Sequence, residues 1–141
     1  MTKERMDFIK SLALEAGRLT LEGYGKCDQM PKDNEAGVYD IATVYDFRTE
    51  ELVRQRILDQ FDEPILGEED GLIGDREMAK HKLWIVDPVD GTLNYALGIP
   101  VFSVSVALVQ RGEIVAGAVL EPLRGHLYAA ARGEGAWRDG E

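Results

Sequence analysis

The sequence predicts an α+β fold, two long helices packed on one face of a mostly antiparallel sheet, and three observations carry that prediction. Apolar residues recur at three- and four-residue steps in two stretches, at Met6, Ile9, Ala13, Ala16 and Leu19 and again at Phe47, Val53, Ile57 and Phe61. From Val101 onward, β-rich runs alternate with glycine-bearing turns at hairpin spacing. The 141 residues, 45% hydrophobic and 30% charged, suffice for one domain with a core and are too apolar for a disordered chain. Residues 1–141 are therefore expected to form a single α+β domain.

The first apolar series makes an amphipathic packing helix that should stop near Gly23 or Gly25. Cys27 to Tyr39, with Pro31, Asp33, Asn34 and Gly37, reads as a surface loop or irregular hairpin. The second helix runs from about Asp46 to Phe61, with Asp46 in its first turn, where the helix dipole favours an acid. Pro64-Ile65-Leu66 is a short strand leading into Gly67-Glu68-Glu69-Asp70-Gly71, three acids bracketed by glycines. Leu83 to Val86 is a buried strand ending at Asp87.

Val101 to Val109 and Ile114 to Leu120 form a hairpin about Arg111-Gly112-Glu113. Leu127 to Ala131 adds a strand, Gly133-Glu134-Gly135 turns it, and Ala136-Trp137-Arg138 begins another before Asp139-Gly140, a strong hairpin-turn dipeptide. No returning strand follows, so the domain is expected to be truncated within a hairpin. Trp84, Trp137, Phe102 and the valines from Val101 to Val109 are assigned to packing.

A formal charge of −10, from 26 acidic and 16 basic residues, argues against a nucleic-acid surface and against an anionic membrane. An acidic protein handling a phosphate needs cations between the two, so phosphate chemistry here implies bound metal. Cys27 is the only cysteine, which excludes an intrachain disulfide and a thiolate metal cluster. The N-terminal residues lack the apolar run of a signal peptide and no stretch is long enough to span a membrane; a cytoplasmic protein is expected.

The chemistry gathers in Trp84-Ile85-Val86-Asp87-Pro88-Val89-Asp90-Gly91-Thr92-Leu93-Asn94-Tyr95. A strand delivers Asp87, Pro88 blocks helical continuation, and the turn returns Asp90 three residues later. Two converging carboxylates repel unless protonated or bridged by a cation, and hard oxygen ligands suit magnesium. Asp90 could bridge two ions, the Val89 carbonyl is a natural further ligand, and Gly91 allows close backbone approach. Thr92 opens a short helical turn, so its amide and that of Gly91 can face a phosphate while its hydroxyl holds a water. Taken alone, Asp90-Gly91 reads as a plain turn and Glu68-Glu69 as a solvated acidic loop. His81 and His126 lack paired ligands at helical or turn spacing and are read as surface residues.

The complete string Asp-Pro-Val-Asp-Gly-Thr-Leu-Asn-Tyr after an apolar strand resembles the signature of the inositol monophosphatase superfamily, the lithium-sensitive, magnesium-dependent inositol and sugar phosphatases. Gly67-Glu68-Glu69 and Asp40-Ile41-Ala42-Thr43-Val44-Tyr45-Asp46 resemble the family's two earlier acidic elements in the same order, so the resemblance covers nearly the whole chain. It implies that Glu68, Asp87 and the Val89 carbonyl bind a first Mg2+, that Asp87 and Asp90 share a second, and that Asp46 completes a weaker third site. It also implies that Thr92, held by Asp46, orients the attacking water, that Glu68 and the Val89 to Thr92 turn (Val89, Asp90, Gly91, Thr92) contact substrate, and that Glu69 fixes its loop.

The implied fold is the N-terminal domain of the sugar-phosphatase fold, with the acids gathered at the sheet edge. The implied function is magnesium-dependent hydrolysis of an inositol or sugar phosphate monoester by in-line displacement, with no covalent intermediate and Cys27 dispensable. Leu93-Asn94-Tyr95 fits inositol or fructose-bisphosphate members better than nucleotide-phosphate members. Family members continue with a second α/β domain bearing a further metal-binding aspartate in a tryptophan-aspartate motif, which this sequence does not contain. They are commonly dimers, so a homodimer is expected for the full-length form, and the shortened chain should expose apolar sheet. The alternatives are a fructose-1,6-bisphosphatase-type activity and a non-catalytic, metal-binding or regulatory homologue acting through a partner.

Overall fold

The computed structural model describes residues 3–26, 29–31 and 41–141. Cys27, Asp40 and the loop residues Asp33, Asn34 and Gly37 lie outside the described residues. The elements are α1 (Lys3–Gly23), β1 (Gln29–Pro31), β2 (Ile41–Thr43), α2 (Val44–Phe61), β3 (Ile65–Gly67), β4 (Gly71–Ile73), α3 (Arg76–Ala79), β5 (Lys82–Asp90), α4 (Thr92–Ala96), β6 (Ser103–Gln110), β7 (Glu113–Glu121), β8 (His126–Ala131) and β9 (Gly135–Arg138).

β1 and β2 pair antiparallel, while the other strands form a seven-stranded sheet in the order β4-β3-β5-β6-β7-β8-β9. All its ladders are antiparallel except β3 with β5. The fold is α+β, with a mostly antiparallel sheet, as the periodicities predict. β6 to β9 form an up-and-down meander because glycine turns separate runs of alternating burial. At Asp139-Gly140 both residues have positive φ, 55° and 94°, and Arg138 and Glu141 exchange backbone hydrogen bonds of 3.0 Å in both directions, a type I′ turn.

One sheet face packs against the helices. Ile9, Leu12, Ala13 and Ala16 of α1 and Val53 and Ile57 of α2 join Trp84, Val86, Val104, Val106, Leu108, Ala118 and Leu120 in the main core. Phe8, Phe61 and Trp84 close one end as an aromatic trio with ring centroids 4.9 to 5.8 Å apart. Beside this trio Glu63, only 8% exposed, receives both guanidinium nitrogens of Arg5 at 2.7 Å, the Trp84 indole at 2.9 Å and the Lys82 ammonium at 2.9 Å. The opposite sheet face presents Ile85, Val119 and Tyr128, each more than a third exposed. It is hollowed into an open trough of about 810 Å³ across β6 to β9.

The acids lie at the carboxyl ends of β3 and β5, which stand second and third in the sheet order, rather than along an outer strand. Three elements escaped the periodicity reading, β2, β4 and α3, each too short to show a repeat.

Candidate active site

The parallel register of β3 and β5 pairs Leu66 with Ile85 and Gly67 with Val86, so one further step sets Glu68 beside Asp87. Successive residues of a strand face opposite ways, so Asp87 and Asp90, three apart, would normally diverge. The ladder with β6 corrects this. Asp87 pairs with Ser105 and Asp90 with Ser103, leaving one extra residue in β5 and turning both acids toward one side. Pro88, with no N–H for the ladder, sits within that bulge.

Asp87 is half-buried and its Oδ1 has no hydrogen-bond partner. Burial first, then the adjacent Glu68 carboxylate and the charge of Asp90, push its carboxyl up to about 7, against the lowering effect of the Val89 amide. Asp90 is exposed and accepts a 3.3 Å hydrogen bond from Ser103. A cleft of about 240 Å³ opens beside it, lined by Gly91, Asn94, Ser103, Glu121 and Arg124 among others.

Gly91 caps α4 with φ 96°, and a Cβ there would lie 3.1 Å from the Val101 carbonyl, so the turn is built for glycine. Behind it Val89, Tyr95 and Phe102 form a second small core, pinned by the Tyr95 hydroxyl, which donates to the Thr20 carbonyl at 2.6 Å. Thr92 Oγ1 stands 2.9 Å from Asp46 Oδ1 and 3.0 Å from the Val89 carbonyl. One hydroxyl proton serves one acceptor at a time, and the carboxylate is the stronger.

Asp46 is fully buried. Besides Thr92 it accepts from the Thr43 amide at 2.8 Å and from the Thr43 hydroxyl, forming the capping box that starts α2. One carboxylate thus ties the start of α2 to the turn after β5.

Glu50, one helical turn beyond Asp46 and 2% exposed, accepts the amides of Glu69 and Asp70 at 2.8 Å each. Neither Glu50 nor Thr43 was singled out from the sequence. The signals existed: Thr43 stands three residues before Asp46 in a capping-box spacing, and Glu50 repeats the face of Asp46 four residues on.

The structure thus brings Glu68, Asp87 and Asp90 together electrostatically, and joins Thr92 to Asp46 and to Val89. Among the described residues no three acidic, histidine or cysteine side chains converge tightly enough to form a ready cation cage. His126 lies away from these acids and contacts Asp139 at 2.8 Å. Among the described residues no helix is long and apolar enough to cross a membrane.

Residues 2–141 match the family described as the inositol monophosphatase family. A Thermotoga maritima protein named fructose-1,6-bisphosphatase/inositol-1-monophosphatase is 37% identical over 141 residues, covering 98% of this chain and 52% of its own. The Nus factor SuhB of Xylella fastidiosa is 34% identical over 137 residues, covering 96% of this chain and 48% of its own. The solved structure of the Thermotoga maritima IMPase superposes with a TM-score of 0.86 at 35% identity, over 98% of this chain and 52% of that one. The chain spans about half the length of the curated relatives it matches.

Proposed function

From the premise that this chain belongs to the inositol monophosphatase family, whose matched relatives include phosphatases, we propose that it carries the carboxylate half of a magnesium-assisted phosphate-monoester hydrolase site. The substrate class is an inositol or sugar phosphate.

One observation carries the reading: the fold presses Asp87 against Glu68 and near Asp90, and leaves a buried Asp87 oxygen without a donor. A proton or a cation relieves that repulsion, and three hard carboxylate ligands with the Val89 carbonyl suit a hard divalent ion. Glu68, Asp87, Asp90 and the Val89 carbonyl are the residues that would hold Mg2+. Magnesium supplies Lewis-acid stabilisation of the phosphoryl oxygens and the departing alkoxide.

The chain's own groups do the rest. Thr92 donates a hydrogen bond to Asp46, which leaves its hydroxyl oxygen able to accept a hydrogen bond from the attacking water. The amides of Gly91 and Thr92 orient the phosphate, and the cleft beside Asp90 offers room for the alcohol. Asp46, enclosed and with both oxygens engaged, is assigned to Thr92; a place as third ligand requires it to release a protein donor.

A second reading, a binding protein that retains the fold, is favoured by the SuhB relative's name as a Nus factor. The frustrated Asp87 weighs against it, since a retired site has no physical reason to keep clustered acids.

Calorimetric titration with Mg2+, beside phosphate release from inositol 1-phosphate and fructose 1,6-bisphosphate, tests both. The expected result is magnesium binding that is lost in Asp87→Asn and persists in Thr92→Ala, with whatever phosphate release the chain shows lost in both; binding without release marks the site as incomplete in this chain. Equal Mg2+ binding by wild type and Asp87→Asn would refute the metal assignment.

A further inference from the structure

Building on the reading of Glu68 as a metal ligand, we infer that Glu50 is the positioning residue that holds the Glu68 turn over Asp87. The turn from Glu68 to Asp70 lies at the surface, with Glu68 and Asp70 exposed, and such segments ordinarily move. Here the turn is clasped from inside. Glu50 Oε2 accepts the Glu69 amide and Oε1 the Asp70 amide, both at 2.8 Å, a two-point grip by a side chain 2% exposed. Charge-assisted bonds of this kind are about twice as strong as neutral ones.

The grip needs a particular neighbour. A Cβ on Gly67 would fall 2.1 Å from Glu50 Oε1 and 2.3 Å from its carboxyl carbon, so the carboxylate occupies the space that a side chain would take. Glycine at position 67, at the end of β3, is the vacancy into which α2 inserts its acid. The exposed residue is thereby aimed by a buried one nineteen positions away from Glu69. Glu50 touches neither substrate nor cation; its effect passes through the loop backbone.

The test combines amide exchange with magnesium titration. In the unaltered, metal-free chain the amides of Glu69 and Asp70 are expected to exchange slowly despite their surface turn, and rapid exchange overturns the clasp directly. Glu50→Gln offers one acceptor and one donor where two acceptors are needed, so exchange at these amides should accelerate at least about tenfold. Magnesium affinity, measured per folded molecule, should fall about tenfold to a hundredfold, the usual cost of releasing an outer-shell support.

Gly67→Ala, which pushes a methyl into the carboxylate, should reproduce both effects. The double variant should lose less affinity than the two single losses multiplied, because both break one contact. A merely structural Glu50 would lower the melting temperature yet leave magnesium affinity unchanged, and that outcome refutes the inference. Asp87→Asn serves as the control. If it alone abolishes binding, the metal reading stands while the Glu50 inference fails; if it changes nothing, both fail.

Discussion

Glu63 and Asp87 stand near opposite ends of the paired strands β3 and β5, and the fold treats the two carboxylates in opposite ways. Burial raises the pKa of Glu63, but hydrogen bonds from Arg5, Lys82 and Trp84 and the charge of Arg5 outweigh it and leave the carboxyl below its ordinary value. Burial also raises Asp87, and there the neighbours Glu68 and Asp90 add to the penalty, reaching about 7. Both acids meet the same strand, Glu63 through the Trp84 indole at 2.9 Å and Asp87 as one of its own residues. An acid surrounded by donors holds the fold together, whereas an acid surrounded by acids is left short of donors, the contrast on which the proposed cation site rests.

The largest break in this contrast is Glu63→Gln. Removing the charge leaves Arg5 and Lys82 partly buried without their partner, and about 2–3 kcal/mol of stability should be lost in urea unfolding. Magnesium affinity should not change.

The contrast should next show as pH slopes of opposite sign in the metal-free chain. Glu63, with a lowered folded value, contributes stability that is present above about 4.5 and is lost as pH falls through that lowered value. Asp87 runs the other way: its protonated form stabilises below 3.8, and this contribution is lost as pH rises through about 7. Melting temperature should therefore fall between pH 5 and 8, by the equivalent of about 1–2 kcal/mol once solvent screening is allowed for. Asp87→Asn or saturating magnesium should flatten that limb, and a fall that survives both places its cause elsewhere.

The smallest effect sharpens the Glu63 side. Lys82, with a side chain 34% exposed, reaches the carboxylate from the rim, so Lys82→Met should cost less than about 1 kcal/mol in the same unfolding experiment. A larger loss would mean that the rim cation, rather than Arg5, balances the acid.

Much of this was legible in the residues themselves. The helices declared their faces through Ile9, Ala13, Val53 and Ile57, and the meander through its turn dipeptides, because both signals repeat locally. The run from Asp87 to Thr92 stood out because a bulge and a glycine cap gather its candidate groups into six adjacent residues. What stayed hidden depends on partners distant in sequence. Nothing local states that β3 pairs parallel with β5, that Glu50 reaches the Glu69 amide, or that Glu63, which looks like one more loop acid, sits between Arg5 and Trp84. A buried carboxylate and a solvated one look alike until the donors around them are known.

The doubling of duties at Asp46 bears on how such a chain could change over generations. A substitution at Asp87 relieves repulsion, so a lineage no longer selected for chemistry could discard it freely. Asp46 offers no such exit, because the carboxylate that steadies Thr92 is also the one that begins α2. Drift would erase the proposed cation seat first and the proposed water guide last, and a descendant keeping Asp46 without Asp87 would be a relic of folding.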